Sequence, residues 1–186
     1  MVIPRIRLKE KEYNYIQNRR LTDSGSYTVL LKSDCHGWLT DLKVQRCINK
    51  VIQGNHFNEI ADLGDLGDWP YISRHEKKLY GDGILKGYSE VEEARYIREQ
   101  LLEPLRHSAG NTKISFIPGN HDERITKPNL LSLSQLARLA VLHEERNATK
   151  LQSILDFDKY GISWNGVDDT IEWFDCFTGV HGLSLA

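Results

Sequence analysis

Four groups of residues with metal-ligand side chains stand out in the sequence, each placed directly after a run of apolar residues. They are Asp34-Cys-His36, Gly64-Asp65-Leu-Gly-Asp68, Gly119-Asn120-His121-Asp122 and Gly179-Val-His181-Gly182. Carboxylate oxygens, an amide oxygen and imidazole nitrogens suit divalent transition ions, and a carboxylate such as Asp65 can bridge two of them. The neighbouring glycines permit the sharp turns that bring such groups together. The sequence therefore predicts a site for two metal ions.

The apolar runs predict the strands that position these groups. Strands are expected at 27–32, 59–63, 113–117, 162–164 and 171–174. A first helix is expected over 38–53. A second helix begins at the Ser89 capping box, and Pro104 should kink or fray its last turn. A third helix begins at a capping box at residue 132 and runs to 145. Residues 70–88 are rich in glycine and charge and predict a loop. The order β-α-β-α-β-α-β-β indicates an α/β domain, whose site lies at the strand ends.

The order of the four groups resembles the signature of the calcineurin-like metallophosphoesterases, which reads D-x-H, GD-x-x-D, GNH-[DE] and then a lone histidine. That superfamily includes phosphoprotein phosphatases, DNA-break-repair nucleases and cyclic-nucleotide phosphodiesterases. The resemblance spans residues 28–183. It implies an α/β/β/α sandwich with mixed sheets.

The resemblance also implies which residues hold the metal ions. Asp34 and His36 would bind one ion, Asp65 would bridge both, and Asn120 and His181 would bind the second. The simpler alternatives are that Asp34 caps a helix near residue 38, that 64–68 is an ordinary turn, and that His181 only ends a strand. Cys35 stands between two ligands, and its side chain is expected on the opposite face of the strand end.

Other residues of the same groups would act on the substrate. His121 would lie beside the phosphate, where it stabilises the transition state or protonates the leaving oxygen, and Asp68 would orient its ring. Arg124 follows the third group and could contact the phosphate, and the alternative is a simple surface arginine. Asp122 is expected to support the loop rather than bind metal. An earlier Gly54-Asn-His56 repeats part of the third group, but it is out of order and predicts a plain turn.

The function implied is hydrolysis of a phosphate mono- or diester by a two-metal enzyme. Manganese is the favoured ion, with iron, zinc, nickel and magnesium as alternatives. Pro118-Gly-Asn-His-Asp122 followed by Glu-Arg is more similar to nuclease-type and phage-encoded members than to the Ser/Thr protein phosphatases. This favours a nucleic acid or nucleotide substrate. The alternative function is a non-catalytic binding module that keeps the fold and a weakened metal site.

The family's fifth motif, GH-x-H, does not occur in the sequence. Each metal ion would therefore lack one imidazole. We expect the missing ligands to come from a complementary C-terminal segment carrying GH-x-H, as in a truncated or split phosphoesterase, or from another chain in a homo-oligomer. On this reading residues 1–27 form a basic arm, and 28–186 form the portion of the domain that carries motifs one to four.

Composition limits the remaining possibilities. The 186 residues carry 24 Lys and Arg against 26 Asp and Glu, a net charge of −2 that excludes a strongly basic nucleic-acid coat protein. Apolar runs are too short for a membrane span, and the charged start argues against a signal peptide. Three cysteines without a CxxC pair predict free thiols. We therefore expect a cytoplasmic protein with no membrane partner.

Overall fold

The structure is a computed structural model that describes residues 27–70, 72, 89–126, 150–166, 171–173 and 177–179. Several predictions fall outside these residues. They are the basic arm over most of its length, the loop over most of 70–88, the helix over 132–145, and His181.

Four parallel strands form the main sheet, and they follow one another in chain order. Val29 lies opposite Glu59, Glu59 opposite Lys113, and Ile114 opposite Ile162. Two further short strands pair with each other in antiparallel fashion. The α/β class is confirmed, and the carboxyl ends of the four parallel strands lie along one edge. The strands are β1 (Val29–Lys32), β2 (Glu59–Asp62), β3 (Lys113–Phe116), β4 (Ile162–Trp164), β5 (Ile171–Trp173) and β6 (Phe177–Gly179).

Helices connect the strands, and two of the described helices begin after a residue whose side chain caps them. A 3₁₀ turn at Gly37–Leu39 precedes the first α-helix, whose N-cap Asp41 accepts a hydrogen bond from the Lys43 amide at 2.8 Å. Ser89 Oγ likewise accepts from the Glu92 amide at 3.1 Å, which confirms that cap. The helices are α1 (Leu42–Gly54), α2 (Glu90–Tyr96), α3 (Glu103–Ala109), α4 (Asp122–Thr126), α5 (Leu151–Ile154) and α6 (Phe157–Tyr160).

The helix that begins after Ser89 does not fray at Pro104. A wider π-helical segment, Ile97–Leu102, leads from α2 into α3, which continues to Ala109. Proline lacks an amide hydrogen and its ring crowds the preceding turn, so the change of hydrogen-bond spacing just before it absorbs the mismatch. Leu101 and Leu105 stay buried on either side of the proline. Packing against the core therefore keeps the helix continuous.

Apolar side chains cover both faces of the main sheet. On one face Phe116 packs edge-to-face against Phe157, with ring centroids 5.1 Å apart, and stacks on Trp164 at 5.7 Å. On the other face, Ala61, Ile117 and Ile171 form a smaller buried cluster. Burial on both faces is typical of a parallel sheet, and here it includes the polar residues Glu59 and Ser115, which are hydrogen-bonded to each other. Among the residues that the structure describes, no helix is both long enough and apolar enough to cross a membrane.

An ion pair is buried between β1 and β2 at the end of the sheet that leads into the candidate site. Lys32 lies opposite Asp62 in the strand register, and their side chains are 8% and 3% exposed. Burial opposes the charge on Lys32, but the Asp62 carboxylate outweighs it and raises the pKa of the lysine. The Cys35 thiol lies 3.5 Å from the Lys32 ammonium and 3.3 Å from the Gln45 amide nitrogen. It therefore points into the interior.

Replacing Lys32 with Met should destabilise the fold by about 3–5 kcal/mol, because the Asp62 charge is left buried without its partner. The double variant Lys32→Met/Asp62→Asn should recover part of that loss. Urea unfolding gives the free energies, with Lys50→Met on the exposed side of α1 as a control that should change stability by less than about 0.5 kcal/mol. An unchanged urea midpoint for Lys32→Met would contradict the buried pair.

The same pair predicts a pH dependence. Since the folded-state pKa of Lys32 is raised above its ordinary 10.5, its contribution is complete below pH 10.5 and is lost as pH rises through the raised pKa. The stability difference between the wild type and the double variant should shrink in that alkaline range. If the stability difference between the wild type and the double variant stayed constant up to the highest pH at which the protein folds, the raised pKa of Lys32 would be contradicted.

Candidate metal centre

Three loops follow the carboxyl ends of β1, β2 and β3, and we call them the first loop (33–36), the second loop (63–69) and the third loop (117–121). Backbone hydrogen bonds join the first two loops beyond the ends of the strands. The Asp34 amide donates to the Gly64 carbonyl at 2.9 Å, and the His36 amide donates to the Asp65 carbonyl at 2.9 Å. These bonds continue the pairing of the sheet into the loops. The side chains of Asp34, His36 and Asp65 are therefore held at the same edge of the sheet.

Three of the predicted ligands have an uncommon backbone conformation. The φ angles of Asp34, His36 and Asp65 are +58°, +52° and +54°, in the left-handed region that most residues avoid. Such conformations cost about 1 kcal/mol or more each, and they persist only where the surroundings enforce them. They concentrate at functional sites. Trp69, which follows Asp68, and Asp156, which lies in another part of the chain, have the same conformation. Three of the five described non-glycine residues with this strain are thus residues that the sequence predicts to bind metal.

Two overlapping groups of side chains could each hold a metal ion. Asp34, His36 and Asp65 form one, and His36, Asp68 and His121 form the other, with ligand atoms in each group within 4.8 Å of one another. The His36 and His121 rings meet edge-to-face with centroids 4.7 Å apart. The structure thus brings together residues from all three loops.

Asn120 belongs to the third loop, which the second loop holds in place. The amide of the next residue, His121, donates a hydrogen bond to Asp65 Oδ1 at 2.9 Å. Asn120 is half-buried at this junction. His181 lies outside the described residues, so its predicted role as a ligand stays a prediction.

Two simpler readings of the sequence do not fit the structure. Asp34 is not the residue that caps α1, since that cap is Asp41, and the Asp34 side chain is 60% exposed at the mouth of the site. The segment 64–68 is not an ordinary surface turn, because Asp65 and Asp68 are both buried.

Asp68 contacts both imidazole rings of the site. Its Oδ1 lies 2.8 Å from Nδ1 of His121 and 3.1 Å from Nδ1 of His36. The contact between Asp68 and His121 is as short as a hydrogen bond, but its angle is not that of a hydrogen bond. The pairing with His121 agrees with the role expected from the sequence, whereas the pairing with His36 was not expected. No signal in the sequence connects residues 36 and 68.

Electrostatics reflect this arrangement. Burial alone would raise the pKa of Asp68, but the His121 and His36 rings outweigh it and hold that pKa well below the ordinary range. The hydrogen bond to Asp68 in turn raises the pKa of His36 in spite of partial burial. Since Nδ1 of His36 is engaged, Nε2 is left on the side of Asp34, 3.8 Å from its Oδ1. A carboxylate that orients a histidine in this way is typical of metal ligands.

Arg124 lies against His121 and the second loop. Its Nη1 donates to the Asp68 carbonyl at 2.8 Å, and its Nη2 lies 3.1 Å from Nε2 of His121. Because a guanidinium can only donate, Nε2 accepts this hydrogen bond and the ring proton is on Nδ1, facing Asp68. The guanidinium therefore lies beside the ring that is predicted to face the phosphate.

Asp122 holds the second and third loops together from within. Its fully buried carboxylate accepts hydrogen bonds from the amides of Leu66 at 3.1 Å, Gly67 at 3.1 Å and Gly119 at 2.9 Å. Burial raises the pKa of Asp122 to about 7 against the opposing effect of these amides. Asp122 thus supports the loops, as the sequence suggested.

Glu93 is a second buried carboxylate that supports the second loop, and sequence reasoning missed it. It accepts hydrogen bonds from the amides of Asp68 at 2.7 Å and Trp69 at 3.0 Å. Glu93 and Glu90 are buried beside Ala94 on the inner face of α2. The sequence does carry a signal for Glu90 and Glu93, because both are acidic residues at helix positions that face the core.

Replacing Glu93 with Gln should destabilise the protein by about 1.5–3 kcal/mol, the range for hydrogen bonds to a charged group, because an amide oxygen replaces a carboxylate that serves two donors. Manganese affinity should fall roughly 10-fold or more, since Asp68 and the imidazoles that it orients lose their support. Thermal unfolding and calorimetric titration measure the two effects. Glu92→Gln, a 51%-exposed neighbour on α2, is the matched control. If Glu93→Gln and Glu92→Gln had equal stability and equal manganese affinity, Glu93 would not position the second loop.

The geometry of these three loops is the basis for a functional assignment. No protein-family model, no curated protein and no solved structure matches the chain.

Proposed function

We propose that this chain is a metal-dependent phosphoesterase that hydrolyses a phosphate mono- or diester with the help of two divalent ions. The observation that supports it is the meeting of three loops at one edge of a parallel sheet, with Asp34, His36, Asp65, Asp68 and His121 in two overlapping groups. These are the residues that the ordered motifs assign to metal binding and catalysis. The proposal includes the finer fold, an α/β/β/α sandwich of the calcineurin-like type.

The donor set fits divalent transition ions. Asp34, His36 and Asp65 offer two carboxylates and one imidazole, and Asp68 fixes the orientation of His36 through Nδ1. Mixed oxygen and nitrogen donors without thiolate suit manganese, and they also accept iron, zinc, nickel or magnesium. Bound ions would supply Lewis-acid stabilisation of the phosphoryl oxygens and activation of water. Asn120 and His181 remain the proposed ligands of the second ion.

The chain's own groups would handle the substrate charge and the proton. Arg124 presents guanidinium donors that match phosphate oxygens, next to Nε2 of His121. With the ring proton of His121 on Nδ1, which faces Asp68, Nε2 would take up a proton and deliver it to the leaving oxygen once the Arg124 donor turns from Nε2 to the phosphate.

The proposed substrate and partners are the ones that the sequence motifs imply. The Gly119–Arg124 segment favours a nucleotide or nucleic acid over a phosphoprotein, and a complementary segment with GH-x-H, or a second copy of the chain, would complete the ligand set. The competing proposal is a binding module that takes up metal without turnover.

The His121→Ala variant should lose roughly 100-fold or more in kcat/KM, because the proton-transfer role of the imidazole is removed. The assay follows hydrolysis of bis-p-nitrophenyl phosphate, p-nitrophenyl phosphate and single-stranded DNA in Mn²⁺. His56→Ala, in the exposed look-alike motif, is the matched control and should keep wild-type activity. Manganese binding by the wild type without turnover of any of the three substrates, with the GH-x-H segment of a metallophosphoesterase added in trans, would favour the binding module.

Asp65→Asn should lose more manganese affinity than His36→Ala, because a bridging carboxylate interacts with two cations and an amide oxygen carries no charge. The Asn side chain can still accept the hydrogen bond from the His121 amide, so the loop should keep its shape. Calorimetric titration gives the affinities, with the exposed cap variant Asp41→Asn as a control that should not change them. The opposite order would count against a bridging role.

A further inference from the structure

We propose that Trp38 is a stacking platform for a nucleobase, so that the site takes nucleotidyl phosphodiesters and single-stranded nucleic acid. This inference rests on the proposed phosphoesterase function, and it names the substrate class of the same site.

Trp38 lies next to the candidate metal centre. It follows His36 by two residues, so their Cα atoms are at most about 7 Å apart. The 3₁₀ turn that carries Trp38 is tied to the second loop, because the Gly37 amide donates to the Leu66 carbonyl at 2.8 Å. The indole is therefore within reach of a base whose phosphate is bound at the metal ligands.

The backbone that presents the ring is held firmly. Gly37 has a φ of +49°, and it packs so closely on Glu93 that a Cβ atom would collide with the carboxylate. The Trp38 ring itself meets Tyr96 edge-to-face, with centroids 6.4 Å apart. Glu93 and Tyr96 are three residues apart on one face of α2. The same helix thus holds the second loop and supports the aromatic ring.

Trp38 is an exposed aromatic residue next to the candidate site. It is 38% exposed, whereas Trp69, Phe116 and Phe157 are essentially inaccessible and belong to the core. Tyr27 is also exposed, at 42%, but it precedes the amino end of β1 and its hydroxyl donates to Glu59. A rigid, partly exposed indole beside a phosphate site is the arrangement on which bases stack with little regard to sequence. Stacking requires a base that is not already stacked in a duplex, so we expect single strands to be preferred.

The test compares two substrates that release the same p-nitrophenolate, thymidine 5′-(p-nitrophenyl phosphate) with a base and methyl p-nitrophenyl phosphate without one. The wild type should show a higher kcat/KM for the thymidine ester, and Trp38→Leu should reduce that preference roughly 5- to 100-fold by removing the stacking surface. Trp38→Phe should retain part of it. Leu39→Ala, an exposed neighbour at 67%, is the control and should retain all of it.

A binding measurement keeps this inference separate from the proposed function. Fluorescence anisotropy of labelled oligo(dT) with Mn²⁺ needs no turnover, and Trp38→Leu should bind several-fold more weakly than the wild type. Binding that depends on Trp38 without hydrolysis of either ester, also with the GH-x-H segment of a metallophosphoesterase added in trans, would refute the phosphoesterase and keep the platform. The platform would be overturned if Trp38→Leu lowered kcat/KM equally for both esters, or left both unchanged, and also bound oligo(dT) as tightly as the wild type.

Discussion

Four consecutive backbone amides, from Leu66 to Trp69, donate to two buried carboxylates, and the candidate site depends on this arrangement. Asp122 accepts the first two and Glu93 the last two. Successive amides that point to one side form a concavity for anions, and here side chains of the chain itself fill it. Buried amides left without acceptors would cost free energy comparable to a lost hydrogen bond each. The two carboxylates therefore fix the loop that carries Asp68.

The position of that loop determines the orientation of both imidazoles. Asp68 lies between His36 and His121, so a shift of its carboxylate would disturb the rings of two different loops together. Backbone hydrogen bonds from Asp34 and His36 to the second loop hold the first loop at the same edge. Rigid support of this kind keeps charged groups near one another before any ion or substrate arrives, which is what electrostatic catalysis needs.

Helix α2 and the buried ion pair support the site from two directions. Glu93 on α2 holds the second loop, and Tyr96 one turn later supports the Trp38 ring, so one helix would link metal binding to recognition of the substrate. Lys32 and Asp62 neutralise each other at the ends of β1 and β2. This paired charge lies where β1 and β2 end, and the acidic side chains of the candidate site, Asp34 and Asp65, follow it in the loops.

Local pattern in the sequence predicted strands β1 to β5, the Ser89 cap and the motifs that contain Asp34 and His121, because each depends on residues a few positions apart. It did not predict β6 or the short helices α5 and α6. The pairing of Asp68 with His121 was also expected, but tertiary structure alone decided the partners of the buried groups Glu93 and Lys32. Glu93 meets the Asp68 amide across 25 residues, and Lys32 meets Asp62 across 30. Local propensity also suggested an end to the helix near Pro104, whereas burial of the neighbouring leucines kept it continuous. The physical reason is the same throughout: propensity and capping act within one or two turns, but burial and ion pairing depend on how distant segments are brought into register by the parallel sheet.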